Sequence, residues 1–174
     1  VIGQGMLGML TVTLLLKPLV VMLHLLGGMT TLALLWLLVL RTAPTPRRPA
    51  EALGTGLKPL ALLALAVVSM QIALGGWTST NYAALACPDF PTCQGAWAPR
   101  MDLEEGFVLW RGLGINYEGG ILDGPARTAI HLTHRIGALV TLVTLGGVST
   151  LLLLRSRFAG LRRAAVGVQL ALAA

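Results

Sequence analysis

Three histidines, two cysteines and a pair of arginines are the residues of this chain best suited to chemistry. His24, His131 and His134 lie in or beside long apolar runs, where a polar side chain is costly enough to be a functional candidate. A neutral imidazole nitrogen aimed into a helical bundle can serve as an axial ligand for haem iron, and two such residues on facing helices can hold the macrocycle edge-on. The plainer alternative is an interfacial His that hydrogen-bonds a neighbouring helix or the lipid headgroups. His131 and His134 are three residues apart, about 60° around a helix, so one can be a ligand while the other lines the same pocket. Arg127 and Arg135 bracket them, and guanidinium groups there can either pair with haem propionates or snorkel as interface anchors.

Cys87 and Cys93 enclose five residues in Cys-Pro-Asp-Phe-Pro-Thr-Cys. On an oxidising side of a membrane a short-loop disulfide is allowed there, either structural or redox-active. A metal site would need further ligands, and this stretch has neither a Cys-x-x-Cys motif nor a His. Trp77, Tyr82, Trp97 and Trp110 fall at or beyond one helix end, as an interfacial belt or as a lid over a cofactor. The glycine pairs Gly27-Gly28, Gly75-Gly76 and Gly146-Gly147 permit close helix approach, or room for a flat cofactor.

The elements that position these residues are transmembrane helices. In 174 residues, 55% are hydrophobic and only 11% charged, which removes a soluble globular domain, a disordered chain and a disulfide-dense secreted scaffold from consideration. Three apolar segments, Leu19 to Leu40, Pro59 to Trp77 and Thr128 to Leu154, are each long enough to cross a bilayer as a helix. Barrel strands would be shorter and would alternate polar with apolar residues, so the fold class is all-α and polytopic. The terminal runs Val1 to Leu16 and Ala164 to Ala174 are shorter than a span, and the chain is expected to be an internal fragment whose end helices are truncated.

Charge orients the spans. Arg41, Arg47, Arg48 and Lys58 with Glu51 occupy one connection, and Arg155 to Arg163 adds four Arg and no acid, which places both in the cytoplasm. The segment from Thr78 to Ala126 holds six of the seven acids, which places it outside. The net charge of +6 is thus mostly a positive-inside signature and not the footprint of a nucleic-acid binder. All three histidines then share a similar depth near the outer interface. The Pro- and Arg-rich stretch from Ala43 to Pro49 is the natural seam between two halves.

The run Gln71-Ile-Ala-Leu-Gly-Gly-Trp-Thr-Ser-Thr-Asn-Tyr-Ala-Ala-Leu-Ala-Cys-Pro-Asp-Phe-Pro-Thr-Cys-Gln-Gly-Ala-Trp97 closely resembles the third outer loop, with its preceding helix end, of bacterial heme A synthases. Gly3-Gln-Gly-Met-Leu-Gly-Met-Leu-Thr-Val-Thr13, with Pro18, His24 and Leu25, looks like helices three and four of that family. Tyr117-Glu-Gly-Gly120 and Ile130-His-Leu-Thr-His-Arg-Ile-Gly-Ala138 look like the end of the outer loop and helix six. The resemblance implies an eight-helix enzyme of two four-helix bundles, each with a pair of haem-ligating histidines, that oxidises the C8 methyl of haem O to the formyl of haem A for cytochrome c oxidase.

On that resemblance residues 1–48 belong to the first bundle and residues 49–174 to the second, with the loop 78–126 periplasmic and the protein in the bacterial cytoplasmic membrane. His24 and His134 are then axial iron ligands, His131 and Arg135 lie beside the cofactor, and Cys87 and Cys93 match the cysteine pair of the second half. The position three before His134 is His131, where the family's first-half motif Glu-x-x-His has Glu, which fits a second bundle that holds haem b while haem O is the substrate of the other. Expected partners are the lipid bilayer, haem O synthase, the oxidase assembly machinery and an electron donor. The family's first two helices and its last have no counterpart here, so the chain alone is expected to be inactive. A cytochrome b-like quinol electron-transfer module and a non-enzymatic haem carrier or assembly factor are the alternative readings of the same histidines.

Overall fold

The computed structural model describes residues 1–43, 57–156 and 158–173. Among these residues six helices follow in order: α1 (Ile2–Thr13), α2 (Pro18–Thr42), α3 (Leu57–Thr80), α4 (Leu103–Gly106), α5 (Gly124–Arg155) and α6 (Ala159–Ala173). Among the described residues there is no strand, only an isolated bridge between Cys93 and Ala96. α2, α3 and α5 are each long and apolar enough to cross a membrane, so the chain is an all-α membrane protein as its composition requires. The linker from Ala43 to Pro49, and with it a division at residue 48, lies outside the described residues beyond Ala43.

Local chemistry sets the helix ends. Pro18 stands in the first turn of α2, where its missing N–H costs no hydrogen bond. The turn before it carries Leu15 and Leu16 at φ 51° and 59°, a left-handed conformation unusual for residues with a branched side chain. The turn is held by Leu16 N–H donating to Thr11 O at 2.9 Å and by the distant Tyr117 N–H donating to Leu15 O at 3.1 Å. α5 begins at Gly124, four residues before the expected Thr128, because Asp123 caps it: its Oδ1 accepts from Ala126 N–H at 2.9 Å, and Pro125 sits in the first turn. The single turn α4 is capped likewise, Asp102 Oδ1 accepting from Glu105 N–H at 2.9 Å.

The described chain forms two compact units. One combines residues 1–43 with Ile72–His134, and the other combines residues 57–71 with 135–173. The core of the first is Met22, Trp77, Ala83, Leu122, Ala126 and Ile130, with Leu26, Ala73 and Phe107 against it. It therefore joins the beginning of α2, the end of α3, the loop and the beginning of α5. α2 and α3 approach closely here, since a Cβ on Gly76 would stand 2.7 Å from both Met22 Sδ and Leu25 Cδ2. In the second unit Ala165 and Ser149 are buried, and Gln169 Nε2 donates to Thr150 Oγ1 at 3.0 Å.

Candidate functional site

His24 occupies the second turn of α2 and is half-buried. Its ring lies against α1 at Gly8, where a Cβ would stand 3.2 Å from His24 Cε1 and 3.6 Å from Nε2. Its Nδ1 is buried and has no hydrogen-bond partner among the described residues. A second residue of α1 fixes the same histidine from its backbone side: Gln4 Nε2 donates to His24 O. Gln4 reaches α2 through the notch left by Gly27 and Gly28, where a Cβ would stand 2.5 Å and 3.2 Å from its amide atoms.

His134, also half-buried, lies on α5 against α3 in the same manner. A Cβ on Gly75 would stand 3.2 Å from His134 Cε1. His131, one turn earlier, is committed to a different contact. Its Nδ1 donates to the carbonyl of Ala83 at 2.9 Å, tying α5 to the turn after α3. Arg135 follows His134 on α5 and is half-buried. Arg127 lines a cavity of about 240 Å³ with Tyr82, Leu85, Ala86, Gln94 and Gly124.

Over these helix starts lies a loop held by specific polar contacts. Cys87 and Cys93 form a disulfide, with Cα atoms 4.6 Å apart, and both residues are buried. Inside the ring Asp89 accepts from Thr92 Oγ1 and from the N–H groups of Gln94 and Gly95. These bonds, that from Thr92 foremost, lower its carboxyl from the usual 3.8. Gln94 then extends Nε2 to Ala86 O and to Thr128 Oγ1, each at 3.0 Å, which fastens the disulfide loop to the first turns of α5.

Of the four aromatic residues expected at an interface, Trp77 is placed otherwise: it is 5% exposed, and its indole N–H donates to Gly106 O at 2.9 Å. Gly106 has no room for a side chain, because a Cβ would stand 2.9 Å from Ala126 O. Trp110 covers Lys17, whose ammonium lies 3.3 Å from the ring centroid and donates to Gly112 O. Lys17 is 2% exposed, so a residue that reads as an ordinary charge at a helix turn is an internal fastening of the loop. Trp97, at 80% exposure, and Tyr82, at 43%, do face outward.

Chemically, the histidines differ from a protein-held ion site. Among the described residues no three of His, Cys, Asp or Glu come together to hold a metal ion, so iron bound at His24 or His134 must bring most of its ligands with it, as haem iron does. Because Nδ1 of His24 is buried with no hydrogen-bond partner among the described residues, this imidazole is not committed there to a structural hydrogen bond, which fits a ligand role. Sequence reasoning named both histidines but missed Gly8, Gln4 and Lys17. One signal was available: Gln4, Gly8 and Thr11 on α1 recur at identical spacing as Gln71, Gly75 and Thr78 on α3.

Over residues 1–174 the chain matches the COX15-CtaA family, described as cytochrome oxidase assembly protein. The heme A synthase of Shewanella oneidensis is 48% identical to it over 141 residues, which make up 81% of this chain and 43% of that protein. The chain thus spans less than half the length of that relative. No solved structure matches it. With a family match along its whole length, the chain belongs to the COX15-CtaA family of cytochrome oxidase assembly proteins.

Proposed function

We propose that this chain is part of a haem A synthase, an oxidoreductase that converts the C8 methyl of haem O to the formyl of haem A for cytochrome c oxidase. The observation that carries the proposal is the matched setting of His24 and His134, each half-buried on one helix and lodged against a glycine of an earlier one, α1 for His24 and α3 for His134. In this reading His24 would hold the iron of a haem of the first bundle, residues 1–48, through a ring nitrogen. His134 would do the same for haem b in the second, residues 49–174. When bound, haem supplies a redox-active iron, and haem O also carries the methyl group to be oxidised.

What the chain itself contributes is orientation and enclosure. Gln4 and Gly8 hold His24 from two sides. His131, bonded to Ala83 O, fixes the start of α5 one turn from His134. Arg135, next to His134, is the counter-charge for a propionate. The loop, fastened by the disulfide, Gln94 and Lys17, limits water at the helix starts. It faces the periplasm of a bacterial cytoplasmic membrane, with haem O synthase upstream and an electron donor as a further partner.

The test is the haem composition of membranes expressing the full-length gene with a source of haem O. Formyl-bearing haem is the expected product. Bound haem without formyl product would instead place the protein among electron-transfer modules or haem carriers.

A further inference from the structure

The two histidines share a feature that ligation alone does not require: each imidazole edge meets a glycine of an earlier helix, α1 for His24 and α3 for His134, at the same 3.2 Å from where a Cβ would stand. That distance is tighter than ordinary van der Waals contact, so an added methyl would push the ring by a few tenths of an ångström. The two glycines occupy the same place in a repeated pattern: Gln4, Leu7, Gly8, Thr11 and Thr13 on α1 recur at identical spacing as Gln71, Leu74, Gly75, Thr78 and Thr80 on α3. Other glycines of these helices are not so placed: Gly5 on α1 and Gly146 on α5 have nothing within 4 Å of a built Cβ.

We propose that Gly8 and Gly75 are positioning residues that set the rotation of the His24 and His134 rings, and through it the electronic character of the iron each one binds. The inference rests on the reading of both histidines as haem ligands. Ala is a better helix former than Gly, so the methyl's steric effect falls on the ring and not on helix formation. A ligand's orientation is an outer-shell property that tunes a bound metal without changing the ligand set. Gly8 acts together with Gln4, one helical turn away on the same face of α1, whose hydrogen bond to His24 O fixes the backbone from which the ring projects.

The experiment uses the full-length protein purified with its haems. Gly8→Ala and Gly75→Ala should each retain haem content while shifting the low-spin ferric electron paramagnetic resonance signal and the midpoint potential of one haem, a different one in each variant. Gly5→Ala and Gly146→Ala should shift neither. Signals and potentials unchanged in both ring-contact variants, with haem retained, would overturn the proposal. If Gly8→Ala does not yield folded protein, combining it with His24→Ala removes the ring that the methyl meets: recovery of folded protein supports the contact, and failure to recover overturns it. Retention of both haems in His24→Ala and His134→Ala singly would show instead that the ligand reading is at fault.

Discussion

Around Trp77 three buried polar groups carry specific partners: the indole N–H reaches Gly106 O, Asn81 Nδ2 reaches Trp77 O, and Thr128 Oγ1 accepts from Gln94 Nε2. Along α2 from Leu32 to Leu40 the large side chains that stand 43–63% exposed are all apolar, Trp36 among them. The first region is specified residue by residue, and the second by composition. A spanning helix satisfies its backbone internally and asks only for apolar side chains, whereas a loop must find a partner for each N–H and C=O it buries. Chemistry that depends on position accordingly collects where the helices meet the loop, and His24, His131 and His134 all lie in the unit that holds that loop.

The largest effect expected of any substitution follows from this placement. His134→Ala and His24→Ala in the full-length protein should each abolish the absorbance of one haem and leave the other, measured by the pyridine haemochrome and reduced-minus-oxidised spectra. Unchanged spectra in both would return these histidines to the role of helix-to-helix hydrogen bonding.

A pair of truncations sharpens the contrast between the regions. Trp77→Ala empties a buried site and strands the Gly106 carbonyl, for a loss of about 3–5 kcal/mol. Leu35→Ala, at a position 56% exposed, should change stability by no more than about 0.5 kcal/mol. Denaturant titration of the two proteins in one detergent measures both, and equal losses would erase the distinction.

These two residues also show what the sequence makes legible. Leu35 is readable at once, because an apolar run of sufficient length dictates a spanning helix whatever the order of its side chains, and α2, α3 and α5 all form where such runs occur. Trp77 reads as an interface residue at a helix end and is instead a core residue, because its burial depends on Gly106, 29 positions away. Lys17 is hidden for the same reason, since its partners Trp110 and Gly112 lie in a loop whose path no local pattern discloses. The histidines stand out as candidates because their cost in an apolar run marks them one by one. The glycines beside them were not, because close approach is a property of two helices at once.

Within the loop the disulfide is the next strongest element. Cys93→Ser removes the closure of a short ring, worth about 2 kcal/mol, and should lower the yield of folded protein while both haems remain bound. Complete loss of haem in this variant would mean that the loop takes part in binding and does not merely cover the helix starts.

The smallest effect is also the one that separates the loop from the spans by pH. Asp89 is held below 3.8 by Thr92 and by the Gln94 and Gly95 amides, and a carboxyl so lowered adds stability above its unfolded value that is lost as pH falls through the folded one. Hydrogen exchange of the peptide spanning Gln94 and Gly95 should therefore be slower in the wild type than in Asp89→Ala at neutral pH, and the difference should shrink as pH drops below 3.8. Peptides from the middle of α2 should show no difference between the two proteins at any pH, since the stretch from Leu25 to Leu40 contains no ionisable group. Equal exchange at neutral pH would mean that the disulfide alone holds the ring, and that the three hydrogen bonds on Asp89 follow the loop's shape without helping to set it.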